Sequence, residues 1–253
     1  MNSFYQKAAL AAVTAVITLG LSGCLVNRAA EVKGQFCDFD SNFSLQFAQS
    51  AEFQFHQPVM LDKDILWLTA SEPTETVVSG DEKQMVFVME KSGTIPDPAT
   101  DIRVELGFEL LDEQYKLATI RFDPKLNAIM NPSLVDQAAI DAGATMMCET
   151  GYSLASREVE LDLAGQSFDA LPNRQGILQL LGPPLEMDLS SGSYTWEYHL
   201  KGSEDDPLNT RFTVWFDSSG QKMARMESRY SHFQTNTDFL QKKMRVQMKM
   251  LGS

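Results

Sequence analysis

Apolar and polar residues alternate over several short stretches of this chain and recur at helical spacing over only a few. Phe43-Ser44-Leu45-Gln46-Phe47 and Phe53-Gln54-Phe55 alternate, which predicts two half-buried strands about a turn. Asp62 precedes Ile65-Leu66-Trp67-Leu68 as a helix N-cap would, and Pro73 supplies the stop. Met85-Val86-Phe87-Val88-Met89 is a continuous apolar strand. Ser92 to Thr100, with Gly93, Pro96 and Pro98, is a loop. A hairpin follows, Ile102 to Leu111 and Tyr115 to Phe122, about a turn at Asp112-Glu113-Gln114.

Asn131-Pro132 opens a helix, because proline in the first turn gives up only an N–H that has no partner there. The helix runs to about Glu149 and stops near Gly151, with Ile140, Ala144 and Cys148 on one packed face. Arg157 to Leu163 points Val159, Leu161 and Leu163 inward and Glu158, Glu160 and Asp162 outward, an edge strand whose acidic face resists further pairing. The same carboxylates can be taken as calcium ligands or an acid/base couple, yet a solvated face with period two explains them without chemistry. Leu171 to Leu181 is a short amphipathic helix, capped by Gly182 and ended by Pro183. Tyr194 to Tyr198 and Arg211 to Phe216 are strands, the second turned by Asp217-Ser218-Ser219-Gly220 into Lys222 to Ser228.

A weaker regularity links the halves. Ile65-Leu66-Trp67-Leu68 through Pro73 echoes Ile177-Leu178-Gln179-Leu180 through Pro184, and Met85-x-Phe87 falls where Trp196-x-Tyr198 does. The offset slips from about 112 residues at the helix to about 106 at the hairpin, which hints at two copies of one helix-plus-sheet module. Generic helix-then-hairpin order is the alternative.

The first residues are of another kind. Ala8 to Leu21 is an apolar run of about 14 residues behind Lys7. A bilayer-spanning helix needs roughly 20, and secretory signals have about this shorter length. The run closes on Leu21-Ser22-Gly23-Cys24 and so resembles the bacterial lipoprotein signals, over residues 1–24 only. The resemblance implies removal of residues 1–23 and a palmitate-type lipid on Cys24. Because Leu25 rather than Asp follows, it also implies an outer-membrane anchor with the body in the periplasm. An uncleaved anchor with an incidental cysteine is the alternative. Two or more acyl chains hold a protein to a membrane stably where one does not.

Composition narrows the partners. Without residues 1–23 the chain carries 20 basic and 34 acidic side chains, a net of about −14. That argues against nucleic acid, whose phosphates require a basic face. The charge reverses toward the end: seven Lys and Arg face two acidic residues from Gln221 onward. Once Cys24 is lipidated, Cys37 and Cys148 remain, an even pair in an oxidising compartment. A bridge would close a loop of about 110 residues, worth roughly 4–5 kcal/mol; two buried free thiols are the alternative. The three histidines, His56, His199 and His232, are not at ligand spacing, so no metal site and no cofactor is expected. No nucleophile elbow, zinc-protease, P-loop or dinucleotide motif occurs, and no enzyme is expected.

The helix ending Leu180-Leu181-Gly182-Pro183-Pro184, the Trp196-x-Tyr198 strand and the Phe212-x-Val214-x-Phe216-Asp217 hairpin resemble the SmpA/OmlA (BamE-type) lipoprotein domain, over Phe168 to Tyr230. That family has two short helices on a three-stranded antiparallel sheet, and the resemblance implies a role in outer-membrane β-barrel assembly. The matching positions, Leu181, Gly182, Trp196, Tyr198, Phe216 and Gly220, have the residue types of a core, a cap and a turn, so no contact residue carries over. In that family the domain directly follows the lipidated cysteine, whereas here residues 25–167 intervene. A tandem of such modules would resemble the β-lactamase inhibitor protein, whose paired sheets form a concave surface that grips another protein.

The expected architecture is therefore α+β, with two packed domains of short helices on small antiparallel sheets. Signal peptide 1–23, tether 24–35, N-terminal domain 36–156, BamE-like domain 157–236 and basic tail 237–253 are its parts. The expected function is binding or scaffolding of envelope proteins, outer-membrane assembly components among them; an inhibitor or ligand-sequestering module is the alternative. Met244 to Met250 alternates as a strand does, and Lys242, Lys243, Arg245 and Lys249 make up a candidate binding face for anionic lipid or an acidic partner. An edge strand guarded by lysines is the competing account.

Overall fold

A computed structural model describes residues 31, 34–35, 39–47, 49–69, 71–93, 98–129, 157–201, 209–230 and 233–248. The signal segment, Cys24, Cys37, Cys148, Lys249 and the helix expected over 131–149 lie outside the described residues.

The first half begins with the hairpin β1 (Phe43–Phe47) and β2 (Ala51–Phe55), then helix α1 (Asp62–Thr69). A short strand β3 (Glu75–Ser79) and a meander of β4 (Glu82–Lys91), β5 (Ile102–Leu111) and β6 (Gln114–Phe122) complete it. Strand β7 (Arg157–Asp162) leads into the second half, with helix α2 (Arg174–Leu181), a short β8 (Glu186–Asp188) and the meander β9 (Ser193–Leu200), β10 (Thr210–Phe216) and β11 (Met223–Tyr230). Two more strands follow, β12 (Phe233–Asp238) and β13 (Lys243–Met248).

The thirteen strands among the described residues join one sheet in the order β1-β2-β6-β5-β4-β9-β10-β11-β12-β13-β7, with β3 on β4 and β8 on β9. The expectation of short helices on small separate sheets is thus overturned: one large antiparallel sheet dominates the molecule. The reason lies at the middle. The edge of each meander pairs with the other, Met89 opposite Leu200, Glu90 opposite His199 and Lys91 opposite Tyr198. Ser92 N–H donates to Glu197 C=O at 2.8 Å and Lys201 N–H to Val88 C=O at 2.9 Å on either side of that centre. Hairpins then extend the sheet at both ends. Alternation identifies a strand but not its neighbour, so the joining was not readable from it.

The seam is also a centre of symmetry. Strand β3 pairs with Glu82 to Val86 on the side of β4 that β9 occupies further along, and β8 stands to β9 as β3 does to β4. Each half runs helix, short strand, three-strand meander. Register slips between Gly107 and Phe108 in one half and between Trp215 and Phe216 in the other, leaving Ala118 and Ala224 as the unopposed bulge residues. The register also shows that Phe87, not Met85, occupies the place of Trp196.

The core lies on one face of the sheet. Met85, Phe87 and Met89 of β4 and Tyr194, Trp196, Tyr198 and Leu200 of β9 are buried in one apolar cluster with Ile65 of α1 and Ile177 and Leu181 of α2. Helix α2 ends where the sequence predicts, at Gly182 with φ 69°, but starts at Arg174 rather than Leu171, because Asn173 Oδ1 accepts from Gly176 N–H at 2.9 Å and caps it there. Its last carbonyls are satisfied from the sheet. Trp196 Nε1–H donates to Gly182 C=O at 2.9 Å, and the buried Lys91 ammonium donates to Leu181 and Pro183 C=O, both at 3.1 Å. Lys91 belongs to the first half, so a cation from one half holds the helix of the other against its negative end.

Candidate functional site

Since successive strand residues face opposite ways, the face turned from the helices is polar across both halves. Its charges are matched in a ladder. Arg121 contacts Glu52 at 2.7 Å and Glu105 at 3.3 Å, and Arg103 contacts Glu105 at 3.2 Å and Glu75 at 3.1 Å. In the second half Arg211 contacts Glu186 at 2.7 Å, in the place that Arg103 and Glu75 hold in the first. Burial raises the Glu52 carboxyl, but hydrogen bonds from Gln54 and Arg121 outweigh it and leave the group below its ordinary value. Pairs this exposed are worth about 0–1 kcal/mol each. Their effect is on the character of the surface more than on stability.

At the centre of symmetry Ser92 Oγ lies 3.2 Å from His199 Nδ1, while His199 Nε2 is 4.0 Å from Glu90 and Lys201 Nζ is 3.0 Å from the same carboxylate. Serine, histidine and glutamate are the residue types of a nucleophilic triad. A separation of 4.0 Å is beyond hydrogen-bond reach, and Lys201 holds Glu90 more closely. The cluster works as a polar clasp across the seam.

The tail residues are placed on this same face, on and beside β13. Lys243 contacts Glu160 at 2.7 Å, and Arg245 contacts Glu158 at 2.9 Å and Glu160 at 3.4 Å, all across to β7. Lys242 Nζ donates to the carbonyls of Ala164 and Gln166. Hydrogen bonds from Lys243 and Arg245 hold the Glu160 carboxyl below its ordinary value, and Glu160 in turn raises Lys243. The charge reversal seen along the sequence is therefore offset in space by the acidic edge strand.

Two features escaped the sequence reading. One is the pairing of Trp215 with Arg225, whose guanidinium lies over the indole at 4.6 Å. The other is a cleft of about 410 Å³ in the first half, over Gly107 and Thr119 and between Val77, Glu82, Glu109 and Arg121. Glu82 stands directly opposite Glu109 on the neighbouring strand. Like charges so placed are destabilising by roughly 0.2–1 kcal/mol. A signal for the cleft was present: an isolated glycine inside a strand pattern marks a bulge or a close approach.

Among the described residues no helix is long and apolar enough to cross a membrane, and no group of three or more His, Cys, Asp and Glu could hold a metal ion. Comparison with protein-family models, with curated proteins and with solved structures finds no match to this chain.

Proposed function

We propose that this chain is a protein-binding module, held at the outer membrane by a lipid on Cys24, and that the ion-paired face of the sheet is its contact surface. The observation that carries the reading is the continuity of that face: it runs across both halves, while α1 and α2 cover the other. Apolar side chains border it at equivalent hairpins, with Val77 on β3 and Leu189 just beyond β8 both more than half exposed. Mixed charge flanked by exposed apolar groups suits a protein partner better than a lipid surface. The partner class is an envelope protein, outer-membrane assembly components included.

The inhibitor reading draws on one observation, the tandem of equivalent units along a single sheet, and differs in requiring a soluble partner. Photo-crosslinkers at Thr213 on the open face and at Gln179 of α2, placed in cells carrying wild-type or Cys24→Ala protein, test both readings. The expected result is adducts from Thr213 but not Gln179, at the membrane, with loss of fractionation and of adducts in Cys24→Ala. Adducts that persist in Cys24→Ala favour a soluble partner. Equal labelling at the two positions would sink the face assignment.

A further inference from the structure

Gly107 and Trp215 hold equivalent places just before the bulge, and Thr119 and Arg225 hold the places opposite them. In the second half the indole fills that site and the Arg225 guanidinium covers it. In the first half both side chains are cut back, and the cleft of about 410 Å³ remains. It is within the size range of pockets that bury a ligand group, about 300–1,000 Å³. A Cβ on Gly107 would stand 2.4 Å from Thr119 Oγ1, so the residues at these two opposed places constrain each other.

The rim has a definite charge. Glu82 and Glu109 face each other across the strand pair. Arg121 is turned to Glu52 and Glu105, and Lys83 is engaged by Asp62 at 2.7 Å. Lys116 stands opposite Glu109 on the other side, but its ammonium is drawn to Asp112 at 2.8 Å, and no ion pair to Glu82 or Glu109 forms among the described residues. Val77 adds an apolar wall.

We propose that this cleft is a socket for an arginine side chain of the protein partner, the stem against Val77 and the guanidinium between Glu82 and Glu109. The inference rests on the protein-binding reading and names the chemistry of its contact. An arginine suits the space for the same reason that Arg225 suits its own half: it brings a flat, weakly hydrated cation with an apolar stem.

The test titrates the full chain with acetyl-Trp-Arg-amide and, separately, with acetyl-Trp-Glu-amide, following backbone amide NMR signals. The arginine peptide should shift the amides of Gly107, Thr119, Glu82 and Glu109 with millimolar affinity, weakened several-fold between low and high salt. Thr119→Arg, which supplies the cation from within as Arg225 does, should abolish those shifts. The double variant Glu82→Gln/Glu109→Gln should weaken binding about tenfold. Both variants change side chains outside the buried core, so an unchanged melting temperature separates lost binding from lost folding. Absence of shifts at Gly107 with the arginine peptide, or equal shifts with the glutamate peptide, overturns the socket. If the Thr213 cross-links survive in Thr119→Arg cells, the contact surface stands and the socket falls. If the peptide binds while no cross-link forms, the socket stands and the surface assignment falls.

Discussion

The two halves share a topology and hold it by different means. In the first, the centre of the sheet is lined by Met85, Phe87 and Met89; in the second the same places are taken by Tyr194, Trp196 and Tyr198. Flexible methionines fill space without specifying an orientation, whereas an indole with a bonded N–H does specify one. Helix α2 is accordingly tied down by Trp196 and Lys91 through three carbonyls. Helix α1 is tied by a half-buried ion pair, Lys83 to Asp62, and by Leu61 N–H donating to Asp64. What the halves keep in common is the bulge at Ala118 and Ala224, the arginine–glutamate pair beside the short strand, and the order of elements. Those are the features that set the bend and the register of the sheet. We propose that they descend from a duplicated unit, with the side chains at Gly107 and Trp215 free to diverge because they face outward.

The largest effect should come from the core places that correspond. Trp196→Ala is expected to cost about 4–5 kcal/mol, at the top of the range for large aromatic truncations, because it opens a cavity and leaves the Gly182 carbonyl without its donor. Phe87→Ala should cost about 3–4 kcal/mol, since only apolar contact is lost. Chemical denaturation of the two variants measures the difference. Equal costs would show that the indole hydrogen bond contributes nothing and that the second half is held no more specifically than the first.

Part of this comparison is legible in the residues themselves. The Gly182 cap of α2, the hairpin at Asp112 and Glu113, and the in–out pattern of β7 follow from local chemistry, and local chemistry is what a sequence displays. The pairing of β4 with β9 did not show, because its three residue pairs join segments about 110 residues apart and no short-range pattern encodes a partner. Strands β3 and β8 escaped for a related reason. Glu75-Thr76-Val77-Val78-Ser79 is exposed throughout, so burial leaves no alternation to read. The basic tail shows the converse failure: its charges are real, but Glu158 and Glu160, distant in sequence, meet them in space. The cleft was within reach, since Gly107 interrupts a strand pattern; its meaning came only from seeing Trp215 in the equivalent place.

A smaller effect tests what the aromatic half gives up for its specificity. Among the described residues the buried Tyr198 hydroxyl has no hydrogen-bond partner, while Met89 in the corresponding place brings no such group. Burial first, and then the nearby charges of Asp101 and Asp123, push its phenol well above the ordinary value, so it stays neutral over the working pH range. A buried unsatisfied polar group costs about 1–3 kcal/mol. Tyr198→Phe should therefore raise stability by about 1 kcal/mol, seen as a higher denaturation midpoint with an unchanged slope. A loss of stability would mean that the hydroxyl has a partner after all, an ordered water being the nearest candidate.

The smallest effect lies at the meander turns, where the halves differ in length. Strands β10 and β11 are joined through Asp217 to Lys222, with Gly220 taking the positive φ of 69° that the turn requires. Strands β5 and β6 are joined by Asp112 and Glu113 alone, both at positive φ, 51° and 62°. A two-residue hairpin of this kind suits the twist of the strands, and glycine, asparagine or aspartate is favoured in it. Asp112 tolerates the conformation and is held by Lys116 at 2.8 Å, whereas Glu113 has a Cβ that the left-handed region penalises by about 1–2 kcal/mol. Glycine would remove that strain but add freedom to the unfolded chain worth about 0.5–1 kcal/mol. Glu113→Gly should thus stabilise by about 0.5 kcal/mol, or about 1–2 °C in melting temperature for a domain of this size. The side chain is exposed and no contact is lost, so the sign is set by backbone strain alone. The control is Gly220→Ala in the longer turn, which introduces the strain that Glu113→Gly relieves and should move the melting temperature the other way; two shifts of the same sign would show that the turns are not governed by this conformational term.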